Sequence, residues 1–158
     1  MEHVSIDEVD NEPNPMNVHE VRRPVGRALG LSDFAMNYFE LDAEESFSGG
    51  LHTHRDQEEV FYIQEGTATF ETPDEEVVVD AGELIRFAPG EFQMGYNDGD
   101  DLVVGFAFGA PGAVHDWDEL ESLVHCRECG EETRHATTLT DGAFELSCLD
   151  CENTFRIG

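Results

Sequence analysis

The sequence predicts an all-β chain in two parts: a closed antiparallel β architecture over residues 18–110 and a small three-stranded unit over 125–158. Three observations carry this reading. Short runs rich in β-branched and aromatic residues recur with turn residues between them, the pattern of a barrel or sandwich. The triplet His52-Thr53-His54 is followed by Glu59 at the head of a new run. Two Cys-x2-Cys pairs, Cys126/Cys129 and Cys148/Cys151, bracket a hairpin signal late in the chain.

The elements follow in order. Residues 1–17 are an acidic lead-in ending in Asn11-Glu12-Pro13-Asn14-Pro15, a stretch expected to pack on the barrel edge or stay mobile. Strands are expected over 36–41, 51–54, 59–65, 67–72, 76–79, 84–87, 92–96 and 102–108. Ala110-Pro111-Gly112-Ala113 then breaks the pattern, and residues 111–124 are expected to link the two parts. Within that linker Asp116 and Glu119 have capping-box spacing, which predicts a short helix over Asp116–Val124. In the C-terminal part, 134–140 and 143–147 flank Asp141-Gly142, a two-residue turn signal, and 153–157 supplies a third strand.

Side chains alternate along a strand, so histidines two apart address the same point. Glu59 stands at an odd spacing from them, and the polar stretch Arg55-Asp56-Gln57-Glu58 is suited to the turn that brings it back. His52, His54 and Glu59 are therefore candidate ligands of one divalent metal. Two histidines and a carboxylate are the set that non-haem Fe(II) oxygenases use, and the same three can hold Mn, Ni or Zn. Parity sends Phe61 and Ile63 inward with Glu59, which makes Phe61 a candidate pocket wall.

With its closing Gly66, this stretch resembles the first motif of the cupin family. The run Gly82-Glu83-Leu84-Ile85-Arg86-Phe87-Ala88-Pro89-Gly90-Glu91-Phe92-Gln93-Met94-Gly95-Tyr96-Asn97 resembles the second. Three departures stand out: Ser46 falls where the first motif opens on glycine, while Gly49 and Gly50 lie closer in; Ala88-Pro89 shifts the usual proline by one; and Gln93 takes the place of the family's third histidine. Glutamine can ligate through its amide oxygen as a weak fourth ligand, or hydrogen-bond a water on the metal. The spacing to Gly66 also selects Glu59 over Glu58. The resemblance implies a jelly-roll barrel and small-molecule chemistry, with oxygenases, isomerases and decarboxylases all found in the family. With Gln93 inward, Phe92, Met94 and Tyr96 share the opposite face, an aromatic row that predicts a homodimer.

The four cysteines resemble a zinc ribbon across roughly the last 35 residues, in which four thiolates close a tetrahedron and the metal supplies folding free energy that a small core cannot. Disulfides are the alternative, but the paired knuckles and the absence of any other sign of an oxidising compartment favour structural Zn.

Composition constrains the setting. The formal net charge is −28, from 36 acidic against 8 basic residues, all of the latter arginine. Such charge repels itself in dilute buffer, yet 39% of residues are apolar and strand patterning is clear. Molar salt, where the Debye length is about 3 Å, reconciles the two and points to a salt-accumulating halophile. No basic stripe is present, so nucleic acid is not an expected partner. The N-terminal residues are acidic without an apolar run, and no segment reaches membrane-spanning length, so a cytoplasmic location is expected. Two functions follow as expectations. One is a metal-dependent enzyme, oxygenase or isomerase, acting on a small molecule. The other is a non-enzymatic sensor or adaptor whose ribbon contacts a protein partner.

Overall fold

The structure is a computed structural model that describes residues 1–12, 14–114 and 119–157. Its strands are β1 Val21–Arg23, β2 Ala35–Leu41, β3 His52–His54, β4 Glu58–Glu65, β5 Thr67–Glu71, β6 Glu76–Asp80, β7 Leu84–Phe87, β8 Met94–Tyr96 and β9 Val103–Ala110, then β10 Leu120–Cys126, β11 Glu131–Thr140, β12 Ala143–Cys148 and β13 Thr154–Ile157. A one-turn helix, α1 Val25–Ala28, follows β1. The eight barrel strands predicted from sequence are all present, with ends shifted by one or two residues.

Two sheets face each other across the barrel, with strand orders β1-β2-β9-β4-β7 and β6-β5-β8. Alternation decides which side chains fill the space between them. In β2, Ala35, Asn37, Phe39 and Leu41 are buried, and in β4, Glu59, Phe61 and Ile63. The core is aromatic: Phe61 lies 5.1 Å from Phe47 and 4.9 Å from Phe70, ring centre to ring centre, and Phe87 closes the cluster. Such tilted pairs are the geometry aromatic quadrupoles prefer. Gly95 makes room for this cluster, since a Cβ there would fall 2.5 Å from the Phe70 ring. Gly66 ends β4 at a φ of +78°, where a Cβ would meet the Leu102 carbonyl oxygen at 2.4 Å, so only glycine suits the turn.

The C-terminal part differs from expectation in one respect. Its hairpin and third strand form as predicted, with Asp141 and Gly142 both at positive φ (52° and 79°), the requirement of a type I′ turn. Instead of standing apart, however, these strands continue through β10 into the barrel, in the order β13-β12-β11-β10-β3. Leu120 pairs with His54, Glu121 with Thr53 and Ser122 with His52. Of the helix expected over Asp116–Val124, residues 116–118 lie outside the described residues and Leu120–Val124 are strand. The capping pattern is a local preference; the open edge of β3 and the hairpin beyond it offer a ladder on both sides, and tertiary pairing wins. The boundary expected at residue 125 thus falls inside one sheet.

The lead-in is tied down. Glu12 N–H donates to Arg22 O at 2.8 Å, and Arg22 N–H donates to Asn11 Oδ1 at 2.8 Å. His19, 1% exposed, has Nδ1 2.8 Å from Ser46 O and accepts from Asn14 N–H on Nε2 at 3.1 Å. Among the described residues no helix is long and apolar enough to cross a membrane.

Candidate metal centre and adjoining cavity

Strand β3 presents His52 and His54 on one face, their ring centres 5.4 Å apart at 87°. His52 Nδ1 lies 2.9 Å from Gly50 O. A carbonyl can only accept, so the proton sits on Nδ1 and Nε2 is left as the ligating atom. Glu59, on β4, brings a carboxylate oxygen to the same point: the ligand atoms of His52, His54 and Glu59 all lie within 4.8 Å of one another. His54 Nε2 stands 3.8 Å from Glu59 Oε2.

Gln93 enters through the backbone. His52 and Gln93 are bridged as an antiparallel pair, which seats their side chains on the same face. The amide nitrogen donates to Glu59 Oε2 at 3.0 Å and lies 3.5 Å from His52 Nε2. Its oxygen, Oε1, is buried with no hydrogen-bond partner among the described residues. In this rotamer Gln93 orients Glu59 and does not ligate. A half-turn of the amide would aim Oε1 at the carboxylate, an arrangement that only a cation between them makes favourable. The donor set therefore fits a divalent ion either way.

The site is buried, with His52, His54, Glu59 and Gln93 only 8%, 6%, 7% and 2% exposed. Burial pushes the Glu59 carboxyl up to about 7, with the Gln93 hydrogen bond working in the opposite direction. Burial also holds His52 below its ordinary value, against the Gly50 hydrogen bond. Neutral imidazole is the form that binds metal, and a buried carboxylate short of positive charge gains most from one.

His52 and His54 form part of the wall of a cavity of about 170 Å³. Three regions share that wall. The barrel gives Asn37, Phe39, Phe47 and Ala107; the N-terminal region gives Asn14, Met16, His19 and Arg22; the C-terminal sheet gives Leu120, Ser122, Val124, Leu146 and Ile157. Phe61 is not among them. It is inward-facing as expected, but the interior is divided between packed core and cavity, and Phe61 lies in the core at 2% exposure. The aromatic row opposite Gln93 is partly covered within the chain, since the Arg134 guanidinium sits over the Phe92 ring at 6.0 Å. The cavity residues of the lead-in and of β10 were missed from sequence. The period-two run Leu120, Ser122, Val124 was the one available signal, and the capping pattern obscured it.

The cysteines converge as their spacing predicts. Cys126 Sγ lies 3.5 Å from Cys151 Sγ, and Cys129 Sγ 3.9 Å from Cys148 Sγ. A tetrahedral ion with Zn–S bonds of about 2.3 Å has sulfur–sulfur edges of about 3.8 Å, whereas a disulfide needs about 2.05 Å. The knuckles turn through Gly130, whose N–H donates to Cys126 O at 2.8 Å, and Glu152, whose N–H donates to Cys148 O at 3.0 Å. The Thr133 hydroxyl, 3.3 Å from Cys148 Sγ, draws that thiol down to about 6, which favours the thiolate a metal requires.

Comparison with known proteins agrees with the fold. The cupin domain family model matches residues 38–108. A sugar phosphate isomerase of the cupin superfamily from Silicibacter pomeroyi DSS-3 aligns over 99% of this chain and 92% of its own, with a TM-score of 0.63 and 18% identity. A polyketide cyclase from Streptomyces resistomycificus aligns over 70% and 79% respectively, with a TM-score of 0.59 and 25% identity. A predicted oxalate decarboxylase from Thermotoga maritima aligns over 70% and 99%, with a TM-score of 0.59 and 21% identity. No curated protein matches the sequence significantly. The first alignment takes in the C-terminal sheet as well as the barrel.

Proposed function

Starting from a cupin jelly-roll barrel whose family match spans residues 38–108, we propose that this protein is a metal-dependent enzyme acting on a small molecule in the cavity beside β3. His52, His54 and Glu59 would hold the divalent ion, and four thiolates at Cys126, Cys129, Cys148 and Cys151 would hold a structural zinc. The observation that carries this reading is the convergence of three buried ligands within 4.8 Å, two of them on the cavity wall. When bound, such an ion supplies Lewis acidity or a place for dioxygen. The chain's own residues do the rest. Gly50 O fixes the tautomer of His52, Gln93 orients Glu59, and the apolar walls exclude water.

The lining bears on the reaction class. Phe39, Phe47, Leu120 and Leu146 offer little to a polyol, so oxygenase chemistry on a substrate with an apolar body fits better than isomerisation of a sugar. The alternative, a sensor or adaptor, is favoured by one observation: the cysteine-bearing sheet is part of the cavity wall, so ligand binding and a partner bound to that sheet would be linked. A homodimer and an intracellular setting of molar salt remain part of the reading, the latter resting on the net charge of −28.

The test is element-resolved metal stoichiometry on the full chain in high KCl, for the parent and a His52→Ala/His54→Ala double variant. The expected result is zinc plus a second metal in the parent, the second lost in the variant. One zinc in both proteins would sink the metalloenzyme reading and leave the sensor.

A further inference from the structure

The cavity is at odds with the charge of the chain. The protein carries 36 acidic and 8 basic residues, yet among the described residues the lining contains no carboxylate and one guanidinium, that of Arg22. Backbone register explains the placement: Arg22 on β1 pairs with Phe39 on β2. Directly opposed residues share a face, so Arg22 points inward beside Phe39 and Asn37.

Arg22 is also set apart from the other arginines. Six of the eight are ion-paired: Arg23, Arg27, Arg55, Arg86, Arg134 and Arg156. Arg127 is exposed, and Arg22, half-buried, has no ion pair among the described residues. The Glu12 carboxylate acts on Arg22 only at longer range, since it is bonded by Arg27 Nη1 at 2.6 and 2.9 Å. The two hydrogen bonds of Arg22 are long and go to neutral acceptors, 3.4 Å to Glu12 O and 3.3 Å to Asn37 Oδ1. A guanidinium has five N–H donors, so most of its capacity is unspent. A partly desolvated cation in that state is matched by a planar anion that accepts two parallel bonds.

Resting on the small-molecule reading above, we infer that the ligand is a small organic carboxylate, its anionic group held by Arg22 beside Asn37 and its apolar body against Phe39, Phe47 and Leu120. The size agrees: a cavity near 170 Å³ compares with the roughly 150 Å³ that takes a benzene ring. A phosphate ester is the poorer match, since a dianion would find a single cation there.

The test uses benzoate and its uncharged counterpart benzyl alcohol, with binding read by ligand-observed NMR on the full metal-loaded chain in about 1 M KCl. The parent, Arg22→Met, Arg22→Lys and the His52→Ala/His54→Ala double variant are compared. Benzoate is expected to bind the parent about tenfold or more tighter than benzyl alcohol. Arg22→Met should bring benzoate to the level of the alcohol and leave the alcohol unchanged. Arg22→Lys, which keeps the charge and loses the fork, should fall between; it decides the matter if Arg22→Met does not fold, and parent-like benzoate affinity in it would then overturn the inference. Equal binding of the two probes by the parent, or undiminished benzoate binding in Arg22→Met, overturns the carboxylate assignment while the small-molecule reading stands. Benzoate lost only in the histidine variant puts the carboxylate on the barrel metal and also overturns it. If neither probe binds the parent, the carboxylate assignment falls, and the metal stoichiometry above decides the metalloenzyme reading separately.

Discussion

His52 and Gln93 face each other across the seam between β3 and β8, exchanging both backbone hydrogen bonds at 3.1 and 2.9 Å. The pair does two things at once. It joins the barrel's second sheet to the C-terminal sheet, and it delivers the Gln93 amide to Glu59 at 3.0 Å.

That delivery would make the affinity for the proposed metal depend on Gln93 and on pH. Burial raises the Glu59 carboxyl to about 7 and the Gln93 donor opposes the rise. Metal binding displaces the proton, so affinity falls as pH drops below about 7. Gln93→Leu removes the donor; Glu59 then takes up its proton at higher pH, and metal is lost about one pH unit earlier, with a roughly 10- to 100-fold weaker affinity at neutral pH. Gln93→His adds an imidazole and tightens binding. Chelator competition across a pH series measures all three proteins.

His19 predicts an acid-sensitive fold. Its neutral ring satisfies both Ser46 O and Asn14 N–H, and burial holds it below its ordinary 6.5. In the window between its depressed folded value and 6.5 the unfolded chain binds more protons, so stability rises with pH there and is lost as pH falls through the window. His19→Leu should cost about 1–3 kcal/mol at neutral pH by leaving buried backbone groups unpaired. Denaturant unfolding at several pH values should show the variant with a shallower slope just below pH 6.5; parallel slopes would remove His19 as a source.

If the four thiolates hold zinc as proposed, replacing Cys148 with serine should release it and loosen the cavity wall. A loss of about 3 kcal/mol in a chain of this size lowers the melting midpoint by roughly 6–12 °C. Because the same sheet supplies Leu120, Ser122 and Val124 to the cavity, affinity for a small ligand should fall in parallel. A ligand affinity that survives zinc loss intact would show the wall to be held by its β-ladder alone.

Salt should stabilise. With a net charge of −28 and most carboxylates on the surface, raising KCl from about 0.1 to 1 M shortens the Debye length from about 10 to 3 Å and removes self-repulsion. The melting midpoint should climb steadily over that range, and a flat or falling response would refute the halophilic reading.

Much of this was legible in the sequence, for identifiable reasons. Parity placed Glu59, Phe61 and Ile63 on one face, and the turn chemistry of Asp141-Gly142 fixed a hairpin register, because both are local. The fate of Phe61 was not legible, since inward-facing says nothing of whether neighbours fill the space. Neither was β10. Asp116 and Glu119 promise a helix to any short-range reading, and the edge of β3 that recruits Leu120–Val124 is distant in sequence. Arg22 carried no motif at all; its role comes from the register that sets it against Phe39.

The continuity of β3 with β10 bears on how the protein comes into being during synthesis. Both flanks of β3 are supplied later in the chain, one by Gln93 and the other by Leu120–Ser122. Until Leu120–Ser122 leave the ribosome, His52 and His54 sit on a three-residue segment with an unpaired edge, a template for wrong partners. Distant pairings also close slowly. The candidate metal centre is therefore assembled late, and an ion held there would be loaded only after Leu120–Ser122 have paired with β3.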